Sequence, residues 1–254
     1  FIFAVNTEIP IYGFICAAIA GALLSVLFAV LTQYIMSNQV ATGLGLTMVG
    51  LGLSALIGKP YEGIRSPTLS KIEIPILSDI PILGPMIFSH DAIVYFSITL
   101  VGTVAFVISK TRVGLVLRAV GENQEAAHAL GYKVVRIRFL AIMFGGATAG
   151  IGGAYISLAR VPQWTEGMTA GAGWIALALV VFASWKPWRV LLGAYLFGGI
   201  TVLQLNLQAI GVAIPVEILS MSPYLVTIVV LVGISLFGHH TAPGSLARPF
   251  HASQ

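Results

Sequence analysis

Between Glu8 and Lys59 the chain carries no Asp, Glu, Lys or Arg, a run of 50 residues. A helix needs about 20 apolar residues to cross the hydrocarbon core of a bilayer, so this one interval must hold two crossings. Its only polar cluster, Thr32, Gln33, Tyr34, Ser37, Asn38 and Gln39, predicts a tight turn at Ser37 to Gln39 between spans at 11–35 and 40–58. A soluble globule is excluded, because 9% of the 254 residues are charged, against roughly a quarter in ordinary domains.

Further uncharged windows run from Ala92 to Ser109, Phe139 to Ala159, Gly167 to Trp185, Val190 to Val216 and Ile218 to Ala247, the last ending in a polar tail from His239 onward. Each supplies one helix. The windows are continuously apolar and lack the alternation of a barrel wall, so the fold class is all-α, a polytopic membrane helical bundle of about seven transmembrane helices. Phe1 to Val5 reads as the tail of a preceding span, and the expectation is an amino-terminally incomplete, single transmembrane domain over 1–254.

Threading these spans puts Lys110, Arg112, Arg118, Lys133, Arg136, Arg138, Lys186, Arg189 and Arg248 on one side and Lys59, Arg65, Lys71 and Arg160 on the other. Short basic loops stay in the cytoplasm, which turns segment 110–138 inward and segment 59–91 outward. Trp185 and Trp188, flanking Lys186 and Pro187, suit the inner aromatic belt. Segment 59–91 contains Pro60, Pro67, Pro75, Pro81 and Pro85, which predicts an extended outer loop poor in hydrogen bonds. Its length hints at contact with something outside.

Catalytic and metal chemistry find no support. Cys16 has no second cysteine, and His90 and Asp91 stand together without the further acids or ligands that an active or metal site needs. No Walker A pattern occurs, so nothing in the sequence marks an ATP-hydrolysing loop on this chain. No basic tract outside one loop suggests nucleic acid.

That loop is KTRVGLVLRAVGENQEAAHALGYKVVRIR, Lys110 to Arg138. Asn123 can cap a short helix whose first turn holds Gln124 and Glu125, and Gly131 can close it in a left-handed conformation. Ala126, Ala127 and Leu130 give it a small apolar face, a shallow knob for a partner's groove. The alternative is a solvated loop whose positive charges only fix topology.

With RAVGENQEAAHALGY at 118–132, GGATAGIGGAYISL at 145–158, EGMTAGAGWIALALVVFASWKP at 166–187 and NQVATGLGL at 38–46, the chain resembles the membrane permease subunits of ABC importers. The family is the one serving branched-chain amino acids, simple sugars and purine nucleosides, and the second and third pieces are most similar to its nucleoside and simple-sugar branch. The resemblance implies a bacterial-type inner-membrane permease domain in which 110–138 is the cytoplasmic coupling loop. Gly121, Glu122, Asn123, Glu125, Ala126, Ala127, Leu130 and Gly131 would then meet the ATPase. It further implies a second permease subunit, alike or paralogous, two ABC ATPases carrying ATP and Mg, and an extracytoplasmic substrate-binding protein, with no cofactor on this chain. Family members begin with an additional span and a motif of the NIGLEG type. This chain begins after it, so part of the recognition chemistry is expected to lie outside the chain. A branched-chain amino acid permease is the alternative within the family. An ion-coupled secondary transporter is the rival outside it, disfavoured because the threading leaves all nine acids in loops or at interfaces.

Two segments are candidates for the translocation path. Around Thr169, Gly171, Gly173 and Trp174 the residues are too small for a firm first turn, and irregular backbone at depth survives where it lines a wet cavity. A loosely wound helix end at the outer surface is the alternative. Gln204, Asn206 and Gln208 place amides within a span, where they either meet substrate or bond to neighbouring helices, with Gln204 and Gln208 on one face and Asn206 off it. Gly146 and Gly150 form a GxxxG pair, with Gly145, Ala149, Gly152 and Gly153 nearby, and predict close helix packing.

Overall fold

The computed structural model describes residues 1–73, 89–169, 171–211 and 242–250, together with isolated helical positions between 218 and 233. The described elements are α1 (Ile2–Thr7), α2 (Pro10–Gln33), α3 (Gln39–Gly58), β1 (Lys71–Glu73), β2 (Ser89–Asp91), α4 (Ala92–Lys110), α5 (Arg112–Glu122), α6 (Gln124–Ala129), α7 (Val134–Tyr155), α8 (Ala172–Phe182) and α9 (Pro187–Ala209). Five of the helical stretches are long and apolar enough to cross a membrane: Pro10–Gln33, Gln39–Tyr61, Ala92–Lys110, Val134–Arg160 and Pro187–Ala209. The all-α polytopic membrane fold therefore stands. The chain divides into two compact units, one of Phe1–Phe96, Val116–Ala170 and Ser245–Gln254, the other of Ser97–Leu115 and Gly171–Gly244.

In the first unit α2 starts on Pro10, whose missing N–H costs nothing at a helix start. The turn that follows α2 has Met36 at φ 57, and Asn38 begins α3 by accepting the Ala41 N–H at 3.0 Å. The turn thus spans 34–38, starting three residues before the predicted Ser37–Gln39 and ending one residue earlier than it. α2 and α7 lie in close contact because small residues face each other. A Cβ added at Gly150 would run into the Ala17 carbonyl, and one at Gly146 into Ser25 and the Gly21 carbonyl. Gly145, Gly152 and Gly153 would meet nothing within 4 Å, so of the α7 glycines Gly146 and Gly150 are the two that lie in the close contact. α7 continues as a π-helical turn, Ile156–Arg160, that buries Leu158 completely against Ala4, Phe14 and Ala154.

Segment 59–91 departs in part from expectation. Over its described residues it includes extended strands but is not poor in hydrogen bonds: β1 and β2 pair antiparallel with Lys71 opposite Asp91, and the Ser66 N–H donates to the Pro162 carbonyl at 3.0 Å. Short bridges join Glu62 to Trp164 and Arg65 to Gln163, and the Trp164 ring fills the space beside Gly58, where even a Cβ would collide with it. Proline removes one donor per residue but leaves its neighbours free to pair, which is why the composition misled. Pro75, Pro81 and Pro85 lie outside the described residues. Asp91 closes the segment by capping α4, accepting the Ile93 and Val94 N–H groups at 3.0 and 3.1 Å, while its other oxygen accepts the Tyr155 hydroxyl at 2.9 Å.

In the second unit the window 167–185 is not a full span. Its helix, α8, has 11 residues, about 16 Å of rise and roughly half of a ~30 Å hydrocarbon core. It starts after Gly171 at φ 77 and ends in Ser184 and Trp185, both at positive φ. Lys186 is held extended by the following Pro187, which opens α9. Gly193 of α9 lets Leu179 and Phe182 of α8 approach, since a Cβ there would come within 2.8 Å of both side chains. The predicted seventh span, 218–247, falls mostly outside the described residues.

Candidate functional site

The loop from Lys110 to Arg138 is helical over most of its length. α5 delivers the chain to Asn123, whose extended backbone (φ −145, ψ 100) turns it into α6. The Asn123 Oδ1 accepts the Ala126 N–H at 2.9 Å, as a cap should. At the other end the Gly131 N–H donates to the His128 carbonyl at 2.8 Å and the Tyr132 N–H to the Ala127 carbonyl at 3.2 Å. Those two bonds, with Gly131 at φ 87, are the reciprocal pair that closes a helix on a left-handed glycine. The Asn123 cap and the Gly131 closure of the six-residue helix are therefore both made by residues within the loop, as the sequence predicted.

The apolar face is divided. Ala127 is 2% exposed, packed with Val120 of α5, Val134 of α7 and Phe250 of the carboxy-terminal segment. The expectation that it faces a partner is corrected. Residues 127 and 134 are drawn together because the chain reverses at Gly131, and an alanine side chain is small enough to fit the resulting crevice. Ala126, Glu125 and Leu130 remain on the exposed side, Leu130 at 75%. Gly121 is half-buried and its carbonyl accepts the Ser245 N–H at 2.8 Å, while Glu122 is exposed.

Arg138 and the carboxy-terminal segment are what sequence reasoning missed. Arg138 Nη1 donates to Gln124 Oε1 at 2.8 Å and to the Arg248 carbonyl at 3.0 Å, and Nη2 donates to the Ser245 carbonyl at 3.1 Å. Gln124 Nε2 donates to the Pro249 carbonyl at 2.9 Å. The polar end of the last window is thus no loose tail, at least over 245–250. No local signal marks it, since the partners are more than 100 residues apart in sequence.

The path candidates are spread. Thr169 is exposed and belongs to the first unit, whereas Gly171, Gly173 and Trp174 open α8 in the second, with Trp174 exposed. Gly167 and Gly171 take positive φ, so the approach to α8 is irregular as expected. On α9, Gln204 and Gln208 are half-buried and Asn206 exposed, in line with their predicted faces. Among the described residues no three His, Cys, Asp or Glu side chains gather as a metal site would require.

The model of the family described as the branched-chain amino acid transport system permease component matches residues 2–234. The chain belongs to that permease family. It is similar to a putative glucose ABC transporter permease protein of Haloferax volcanii, 37% identical over 241 residues, covering 86% of this chain and 73% of that one. It is also similar to a nucleoside ABC transporter permease protein of Lactococcus lactis, 32% identical over 229 residues, 87% of this chain and 72% of the relative. A guanosine ABC transporter permease protein of Bacillus subtilis is 32% identical over 253 residues, 95% of this chain and 77% of the relative. No solved structure matches the chain. As an ABC permease the chain is a transport subunit of the membrane rather than a catalyst, and it works with an ATPase and a substrate-binding partner.

Proposed function

We propose that this permease imports a nucleoside or a simple sugar, and that α6 is the helix through which its ATPase drives it. The observation that carries the reading is α6 itself, a helix of six residues closed at both ends, with Leu130 exposed beyond its last turn. A helix so short has little stability of its own. In a loop that only fixed topology, two complete caps and a buried alanine would have no purpose; at a docking surface they hold a small shape rigid. The names of the glucose, nucleoside and guanosine permeases support the substrate class.

In this reading segment 110–138 is cytoplasmic, 59–91 faces outward, and the membrane is a bacterial-type inner membrane. Two permease subunits enclose the path, two ATPases carrying ATP and Mg sit below, and a binding protein delivers substrate from outside. Closure of the ATPases pushes α6, and the spans attached to it swing the path from outward to inward opening. Gln204 and Gln208 offer amide donors and acceptors to hydroxyl or ring-nitrogen groups of the cargo. The family's own description favours one second reading, a branched-chain amino acid as cargo.

Uptake of labelled uridine, guanosine, ribose, glucose and leucine by cells expressing the intact transporter separates these. Saturable, ATP-dependent uptake of a nucleoside or sugar is expected. Uptake of leucine alone would move the substrate to the amino-acid branch. Uptake that survives ATP depletion with the ion gradient intact would overturn the ABC mechanism.

A further inference from the structure

A segment that merely leaves the membrane has no need to satisfy another loop's hydrogen bonds, yet 245–250 does so group by group. The amide of Gln124 opens α6 and has no acceptor within the helix. It donates to Ser245 Oγ at 3.1 Å, and Ser245 is itself 5% exposed. Phe250, 6% exposed, closes the crevice over Ala127 and meets the His128 ring edge-on at 5.3 Å. Arg138, in the second turn of α7, gathers the Gln124 side chain and the Ser245 and Arg248 carbonyls on one guanidinium. Arg is suited to this because its planar fork presents donors in several directions at once.

We propose that Ser245–Phe250 is a clasp that fixes the docking helix to the foot of α7, with Arg138 as the positioning residue, and that the ATPase therefore meets only the outer side of α6. The inference rests on the reading of α6 as the docking helix. Its consequence is mechanical. With α6 clasped, a push on it moves α7 instead of flexing the loop, and α7 is bedded on α2 through Gly146 and Gly150, so the two spans travel together. A partner surface complementary to α6 presents a shallow apolar socket for Leu130 and Ala126, with a cationic or amide group for Glu125. It has no pocket for Ala127.

The test uses the intact transporter in membranes, with Ala127→Cys in a Cys16→Ala background and a small maleimide as probe. With the clasp closed the thiol at 127 is covered and labels slowly. Arg138→Ala or Phe250→Ala should speed labelling by about tenfold or more, the size expected when hydrogen bonds of a charged donor or a buried ring are lost. The same variants should lower substrate-stimulated ATP hydrolysis several-fold at normal expression, and Arg138→Lys should recover part of both signals. Unchanged labelling and stimulation would overturn the clasp. Higher stimulation after loosening would also overturn it, since the segment would then be a restraint on docking. A Leu130→Asp arm keeps the two ideas apart. If it releases the ATPase while the clasp variants change nothing, the clasp fails and the docking helix stands; if it does not, the docking reading fails first.

Discussion

The contact between α2 and α7 makes a quantitative prediction. Gly150→Ala adds one methyl group where the obstacle is the Ala17 carbonyl, a backbone atom that no rotamer change can move aside. The helices must separate along their contact, which costs at the upper end of the ~1–3 kcal/mol typical of overpacking. Gly152→Ala on the same helix adds the same methyl group to open space and gains helix propensity of about 0.5–1 kcal/mol. That gain is common to both variants, so they differ by the overpacking cost, about 2–3 kcal/mol, which corresponds to a melting-temperature gap of roughly 4–12 °C for a chain of this size. Cys16, half-buried on α2 next to Ala17, is a native reporter. A thiol-reactive dye followed during thermal unfolding in detergent should register Gly150→Ala well below wild type and Gly152→Ala at or above it. Equal melting temperatures for the two variants would refute the close approach of α2 and α7.

Three further outcomes are expected. Tyr155→Phe removes the hydroxyl that donates to Asp91 at 2.9 Å, so stability measured by the same dye should fall by about 1–2 kcal/mol, and an unchanged melt would show the bond to be idle. Gly58→Ala should dislodge the Trp164 ring and loosen the bridged outer segment, read as faster tryptic cleavage at Arg65 in membranes, whereas equal cleavage would mean that the ring yields without cost. Gln208→Ala should raise the half-saturation of uptake by about fivefold, the loss of one net hydrogen bond of ~1 kcal/mol, while Asn206→Ala leaves it unchanged; the reverse pattern would take Gln208 out of the path.

What the sequence made legible followed from local chemistry. Uninterrupted apolar windows defined α2, α3, α4 and α9 to within a few residues, apart from the end of α9, because burying a backbone in lipid admits few solutions. Asn123 and Gly131 announced both ends of α6, since caps depend on residues within a few positions of each other. In window 167–185 the small residues made an irregular entry legible, but hydropathy alone did not show that they shorten the helix to the 11 residues from Ala172. Ala127 was placed on the wrong side because a six-residue helix has no periodicity to reveal which face is covered. The cover comes from Phe250, 123 positions on, with Arg138 and Ser245 beside it, and contacts at that separation leave no trace in spacing or composition.

The central claim is that an ATPase grips α6, and Leu130→Asp tests it most directly. Leu130 is 75% exposed, so within this chain the change should alter stability by no more than about half a kcal/mol. In a partner's socket it removes the burial of a leucine, about 2 kcal/mol, and adds an unpaired carboxylate costing at least as much again, which together weaken docking by roughly 1,000-fold or more. The measurement is titration of the purified ATPase onto permease in nanodiscs, with folded permease confirmed by its melting temperature. An unaltered melt with ATPase binding weakened by about three orders of magnitude is the result the account predicts. An unaltered melt with unaltered ATPase affinity would contradict it.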